Sequence, residues 1–274
     1  FLCGRMGRFG LTMKKRSFYI TFSVLSIYTM EAQNSYSLNF DGESDYVEII
    51  GESAMIANAD QMTLSGWIYP RGPNADSWTQ FDGFFGFRNE SDADFYLLQL
   101  GNYKVEGRLR SGDGVFTIVT VENSIISETW HHLALTYDGS NMILYIDGIE
   151  AGSTEAYGQI TNEFVPLTIG RLVFENTNFD LDGQVDEVSL WNLALTAQDI
   201  QDHMYADLTG EEGLVGYWNF NEGSGDTAND GSGNDNDGSI NGATWSTDVP
   251  FTGGVDCDNN EVELWDECYN IEET

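Results

Sequence analysis

The chain has 274 residues, 41% of them hydrophobic and 13% aromatic, enough to bury a sizeable core, so disorder is excluded for most of it. Its 11 basic residues stand against 45 acidic ones, a formal net charge of −34, which repels phosphate backbones and anionic headgroups and excludes nucleic acid as a partner. Such a surface suits saline surroundings, divalent cations or neutral ligands such as glycans.

The first element in chain order is an export signal. Met13-Lys14-Lys15-Arg16, the apolar run Phe18–Tyr28 and then Met30-Glu31-Ala32 read as a charged n-region, a short h-region and a small residue before cleavage. The run is well short of the ~20 residues that span a bilayer, so no membrane span is expected. Residues 1–32 are therefore assigned as upstream residues and signal peptide, with Met13 as the start, and the protein is expected to be secreted or displayed at the cell surface. Removing them takes five of the 11 basic residues and one of the 45 acids, so six basic residues face 44 acids and the net charge is about −38.

Alternating apolar segments between Gly, Asn, Asp and Ser clusters then predict strands at Ser37–Phe40, Tyr46–Ile50, Met62–Tyr69, Phe84–Arg88, Phe95–Leu100, Lys104–Leu109, Phe116–Val121, Trp130–Tyr137, Met142–Ile146, Leu167–Gly170, Gln184–Trp191 and Leu214–Phe220. A dozen short strands at this spacing predict an all-β, two-sheet antiparallel jelly-roll sandwich over residues 33–251. Trp78, Phe81, Phe84 and Phe85 fall in a loop-like stretch and are candidates to stack on a sugar, with Trp78 and Phe81 the preferred pair, although aromatic clusters more often belong to a core. His131 and His132 are adjacent on a strand and point to opposite faces, so they cannot share a ligand.

One short helix is expected from Thr196, an N-cap with acid in the following turn, to about Tyr205. The Gly/Asn/Asp-rich stretch 209–249 does not match an EF-hand register and reads as a turn-rich connection returning to a last strand. Residues 252–274 form a linker and the start of a further region. There Cys257 and Cys268, the two cysteines left after export, are expected to pair in an oxidising compartment.

Several motifs line up in order with one family. Asn39-Phe40-Asp41-Gly42 with Asp45-Tyr46-Val47, then Thr63–Ile68, Trp130–His132 through Tyr145–Gly148, Ile169-Gly170-Arg171, and Gly183–Val188 with Trp191-Asn192, resemble laminin-G-like, concanavalin A-like jelly-roll domains. The segments GLVGYWNFNEGSG and NDGSINGATW are similar to one that often precedes the Phe-Asp-Gly strand in that family, and here suggest a permuted closing strand beside the N-terminal one. The C-terminal Glu263-Leu264-Trp265 and Glu267-Cys268-Tyr269 resemble a cap before leucine-rich repeats, which implies a larger multidomain chain.

The resemblance implies a non-catalytic module for recognition or adhesion that binds a glycan or an extracellular protein, with a structural calcium held by Asp41, Asp186 and the carbonyl of Gly42. The same Asp41 and Asp186 could instead serve a turn and buried backbone donors. Two rival functions are a structural spacer and a retaining β-glucan hydrolase. The latter rests on Glu43-Ser44-Asp45-Tyr46-Val47-Glu48, which resembles the Glu-x-Asp-x-x-Glu of laminarinase-type enzymes, with Ser44 in place of the expected aliphatic residue.

Overall fold

A computed structural model describes residues 34–50, 56–72, 81–89, 93–162, 165–174, 177–250, 261–264 and 267–270. The signal segment, Trp78 and Cys257 lie outside the described residues. In chain order the strands are β1 (Ser37–Asp41), β2 (Tyr46–Ile49), β3 (Met62–Pro70), β4 (Asp82–Arg88), β5 (Asp94–Leu100), β6 (Lys104–Ser111), β7 (Gly114–Val119), β8 (His131–Tyr137), β9 (Asn141–Ile146) and β10 (Ile149–Glu155). They continue as β11 (Leu167–Ile169), β12 (Arg171–Phe174), β13 (Thr177–Asp180), β14 (Asp182–Trp191), β15 (Leu214–Trp218), β16 (Thr227–Ala228), β17 (Gly238–Asn241), β18 (Thr244–Ser246), β19 (Glu261–Leu264) and β20 (Glu267–Asn270).

Two antiparallel sheets carry the fold, the first ordered β10-β9-β8-β3-β14-β1-β18 and the second β16-β17-β2-β11-β4-β5-β6-β7. Their facing sides share one core in which Leu38, Phe40, Leu64 and Ile68 of the first sheet meet Phe85, Phe87, Phe95 and Leu97 of the second. Alternation explains the membership: in β5 the odd positions Phe95 and Leu97 join this core, while Tyr96 and Leu98 belong to a separate cluster on the other side. Phe84 and Phe85 are fully buried in the core, so they cannot stack on a ligand as the loop-like reading of this stretch allowed.

The stretch after residue 209 is built into both sheets. One edge of β14 is shared end to end, by β1 against residues 182–185 and by β15 against residues 188–191. Strand β18 pairs with β1, placing Trp245 opposite Leu38, and β17 pairs with β2. The chain thus closes beside both of its N-terminal strands.

Helix α1 (Ala197–His203) packs outside the first sheet, where Ile200 and Met204 join Trp67, Trp191 and Tyr217. It ends two residues earlier than expected, with Met204 as C-cap. Thr196 Oγ1 accepts the Asp199 amide at 3.2 Å and Asp199 Oδ2 accepts the Thr196 amide at 2.8 Å, a reciprocal capping box. Thr196→Ala is expected to cost about 1 kcal/mol. Hydrogen exchange should show it as faster amide exchange confined to α1.

Candidate functional site

The outward face of the second sheet is where polar and aromatic chemistry collects. Strand β6 reads Lys-Val-Glu-Gly-Arg-Leu-Arg-Ser, and the alternation that sends Val105 and Leu109 into the core turns Lys104, Glu106, Arg108 and Arg110 outward. Tyr96 of β5 lies opposite Arg108 on one side and Gly86 of β4 on the other. Gly86 is needed there, because its φ is +146° and a Cβ would lie 2.4 Å from the Tyr96 Cα. The hairpin β12–β13 covers part of this face, packing Leu172 and Phe179 on Tyr96 and Leu98.

Between hairpin and sheet lies a groove of about 290 Å³, at the lower end of the ~300–1,000 Å³ usual for small-ligand sites. Its apolar lining is Phe81, Leu98, Leu100 and Phe179, and its polar lining is Arg88, Tyr96, Glu106 and Arg108. The polar groups form a chain. Arg88 Nη1 donates to the Tyr96 hydroxyl at 3.1 Å, and that hydroxyl donates to Glu106 Oε1 at 2.7 Å. Arg108 Nη2 meets the same Glu106 oxygen at 3.0 Å. The Arg88 guanidinium also lies over the rings of Tyr96 and Phe179, at 4.8 and 5.2 Å from their centroids. Burial, reinforced by the Glu106 charge, pushes the Tyr96 phenol far above its ordinary range, so it stays a neutral donor. Beside the groove Arg110 pairs with buried Asp94 at 2.8 Å. On β7 the outward face continues with Val115 and Val119, 44% and 49% exposed.

A second polar group is enclosed beneath α1. Ser65 and Ser189 hydroxyls meet at 2.8 Å, and the indole of Trp191 donates to Ser189. The two serines line a cavity of about 10 Å³ with His132 and Glu187, the size of a single water and too small for a ligand. Burial lowers His132 to about 4, so its ring is neutral near pH 7. His131 faces the other way, where its Nδ1 meets Asp147 Oδ2 at 2.8 Å and its Nε2 accepts the Ile126 amide at 2.9 Å. Both histidines are thus structural, on opposite faces of β8.

The expected calcium set is not assembled. Antiparallel register places Asp41 opposite Asp182, so Asp186 sits four residues further along, roughly 13 Å at ~3.3 Å per residue. Asp41 is exposed and its Oδ1 accepts the Glu43 amide at 2.8 Å, while Gly42 donates its amide to the Leu181 carbonyl at 2.9 Å. Asp186 is 0% exposed, accepting from Asn34 Nδ2 at 2.8 Å and from the Glu187 amide at 2.9 Å. These three residues cannot share one coordination sphere. Among the described residues no three His, Cys, Asp or Glu side chains are placed to hold a metal ion. Asp186 instead stitches the bulge where β1 gives way to β15, with Glu187, at φ +52°, accepting the Tyr217 hydroxyl beside it.

The glucanase-like motif is also split. Glu43 lies in the exposed turn after β1, where Ser44 has φ +77°, and Glu48 is half-buried in β2. The turn breaks the strand that would set both carboxylates side by side. Of the two aromatic candidates, Phe81 lines the groove, its ring 6.0 Å from that of Phe179, and Trp78 lies outside the described residues. The expected Cys257–Cys268 pairing involves a residue outside them as well. The groove's charged residues were not singled out from the sequence. The available signal was that four of the six basic residues after residue 32, Arg88, Lys104, Arg108 and Arg110, fall within 23 positions.

Known proteins agree with this architecture. A stretch of 93 residues is 36% identical to pappalysin-1 of Mus musculus, covering 32% of this chain and 6% of that protein's length. Among solved structures, a "putative carbohydrate binding protein" from Bacteroides ovatus superimposes with a TM-score of 0.60 at 18% identity, over 78% of this chain and 60% of that one. The binding domain of Paraclostridial Mosquitocidal Protein 1 does so with 0.50 at 16% identity, over 63% and 44%. No described helix is long and apolar enough to cross a membrane. The family model for laminin-G-like domains of the concanavalin A-like lectin/glucanases superfamily matches residues 41–201, more than half of the sequence, and the chain belongs to that family.

Proposed function

We propose that the protein is a non-catalytic recognition module, secreted or surface-displayed within a larger protein, that binds carbohydrate in the groove on the outward face of its second sheet. The observation that carries this reading is the pairing of aromatic walls with a fixed Arg88–Tyr96–Glu106–Arg108 network in one groove. A pyranose ring offers an apolar C–H face to a side chain such as Phe81 and hydroxyl edges to a preorganised row of donors and acceptors. The likeness to the Bacteroides ovatus protein, described as carbohydrate binding, supports the same reading at the level of the fold. Among the described residues that line the groove there is one carboxylate, Glu106, bonded to Tyr96 and Arg108, whereas glycoside cleavage calls for a pair of acids.

Phe81 is half-buried at the rim, so its truncation should spare the core. Phe81→Ala is expected to weaken the best glycan in a glycan-array and calorimetry screen about tenfold, with little change in melting temperature. Unchanged affinity in a folded variant would remove the groove from the binding site. Turnover of a β-glucan by the purified chain, lost in Glu43→Gln or Glu48→Gln, would overturn the non-catalytic reading.

A further inference from the structure

The geometry points to an anionic saccharide, one bearing carboxylate or sulfate groups, as the ligand class of this groove. The inference rests on the carbohydrate reading above and narrows it.

Charge is distributed against the grain of the chain. Of the six basic residues after residue 32, Arg71 and Arg171 serve the scaffold. Arg71 bonds Asp182 at 3.1 Å and three further acceptors around β1, and Arg171 bonds Asp180 at 2.6 Å across the β12–β13 hairpin. The remaining four, Arg88, Lys104, Arg108 and Arg110, all stand on the outward face of β4 and β6. Along β6 the outward positions run Lys104, Glu106, Arg108, Arg110, each about 7 Å from the next. Among the described residues two acids, Glu106 and Asp94, accompany them there, so the described part of this face is cationic on a chain of net charge −34.

Hydrogen-bond capacity has the same bias. Glu106 Oε1 already accepts from both Tyr96 and Arg108, which occupies that oxygen and leaves Oε2 as the acceptor facing the remaining donors. Arg108 gives one of its five N–H donors to Glu106, and its side chain is 28% exposed and lines the groove. A groove with donors in surplus favours a ligand with acceptors in surplus. A guanidinium pinned on one edge presents its other edge ready-made for a planar carboxylate or a sulfate. Neutral sugars, whose hydroxyls donate as readily as they accept, gain less from this arrangement. The acidic surface beyond the groove opposes a long, densely charged polyanion, so the expected ligand is a short oligosaccharide or one with sparse acidic groups.

Calorimetry on the full chain tests this with four probes at matched length: neutral gluco-oligosaccharides, uronate oligosaccharides, sulfated galactan oligosaccharides and an oligoglutamate peptide. Uronate or sulfated probes are expected to bind at least tenfold tighter than neutral ones and to lose about tenfold between about 50 and about 500 mM salt. Arg108→Gln is expected to cost a further tenfold or more, the loss of a charge-assisted contact. Lys104→Gln, at a site away from the Tyr96 network, should weaken binding in the same direction without touching that network. The two anionic arms separate carboxylate from sulfate recognition. Equal binding of neutral and anionic sugars, insensitive to salt and to both variants, would overturn the inference and leave the carbohydrate reading intact. Binding of oligoglutamate alone, or of none of the probes, would overturn both.

Discussion

Trp218→Ala is expected to destabilise the fold by about 3–5 kcal/mol, the usual cost of truncating a buried aromatic side chain. For a domain of this size the melting temperature should fall by roughly 6–20 °C. Trp218 ends β15, outside the stretch 41–201 that matches the family, yet its side chain is fully buried in the main core. Its indole donates to the Asn236 carbonyl at 2.9 Å, and Asn236 Nδ2 returns to the Val215 carbonyl at 2.8 Å. Asp230 holds the same tract in place by accepting the amides of Tyr217, Ser232 and Asn236. The Gly/Asn/Asp-rich run is therefore a polar plug over a core tryptophan, with its carboxylate committed to backbone donors. If residues 214–246 were a dispensable addition, Trp218→Ala would move the thermal transition by less than about 2 °C.

Glu187→Gln should remove a pH dependence of stability and leave a protein more stable than the parent in mild alkali. Burial pushes the Glu187 carboxyl up to about 8, against the hydrogen bond from Tyr217, and burial beside Glu187 raises Asp186 as well. The folded state thus keeps a proton that the unfolded chain has released from about pH 4.5 upward. The stability this contributes is fully present below that value and is lost as the pH rises through 8, at up to about 1.4 kcal/mol per pH unit. Glutamine reproduces the protonated side chain and has no proton to lose. His132, lowered to about 4, acts in the opposite sense between about 4 and 6.5, but it is present in both proteins and drops out of the comparison. Thermal melts at pH 5 and 9 should coincide at the acidic end and favour the variant by about 5 °C or more at the alkaline end. Parallel curves would show that Glu187 is ionised in the fold.

Much of the sandwich is legible in the sequence because a half-buried strand writes its two faces as a period of two. Each of the 12 strands expected from alternation coincides with an observed strand, and the Thr196 cap marks α1. Strand β10 was missed for the converse reason. As the edge of the first sheet its residues Ile149–Glu155 are mostly exposed, and Ile-Glu-Ala-Gly-Ser-Thr-Glu shows no apolar face. The two-residue β16 and the hairpin β12–β13 are too short for periodicity to register.

Composition and local pattern suffice for the all-β class, the family resemblance, the strong acidity and the opposed placement of His131 and His132. Which acids and aromatics meet depends instead on strand pairing and on the packing of the hairpin. Register offset Asp186 by four positions from the residue opposite Asp41 and buried it in a bulge, against the expected calcium set. The fold of the β12–β13 hairpin onto the second sheet brought Phe179 over Arg88 and Tyr96, more than 80 residues away in the chain. Overall charge suited saline surroundings, divalent cations or neutral ligands, and the clustering of four basic residues between positions 88 and 110 gained its meaning once β4 and β6 set them on one outward face. Contacts of that range depend on which strands become neighbours, and no periodicity within one segment encodes them.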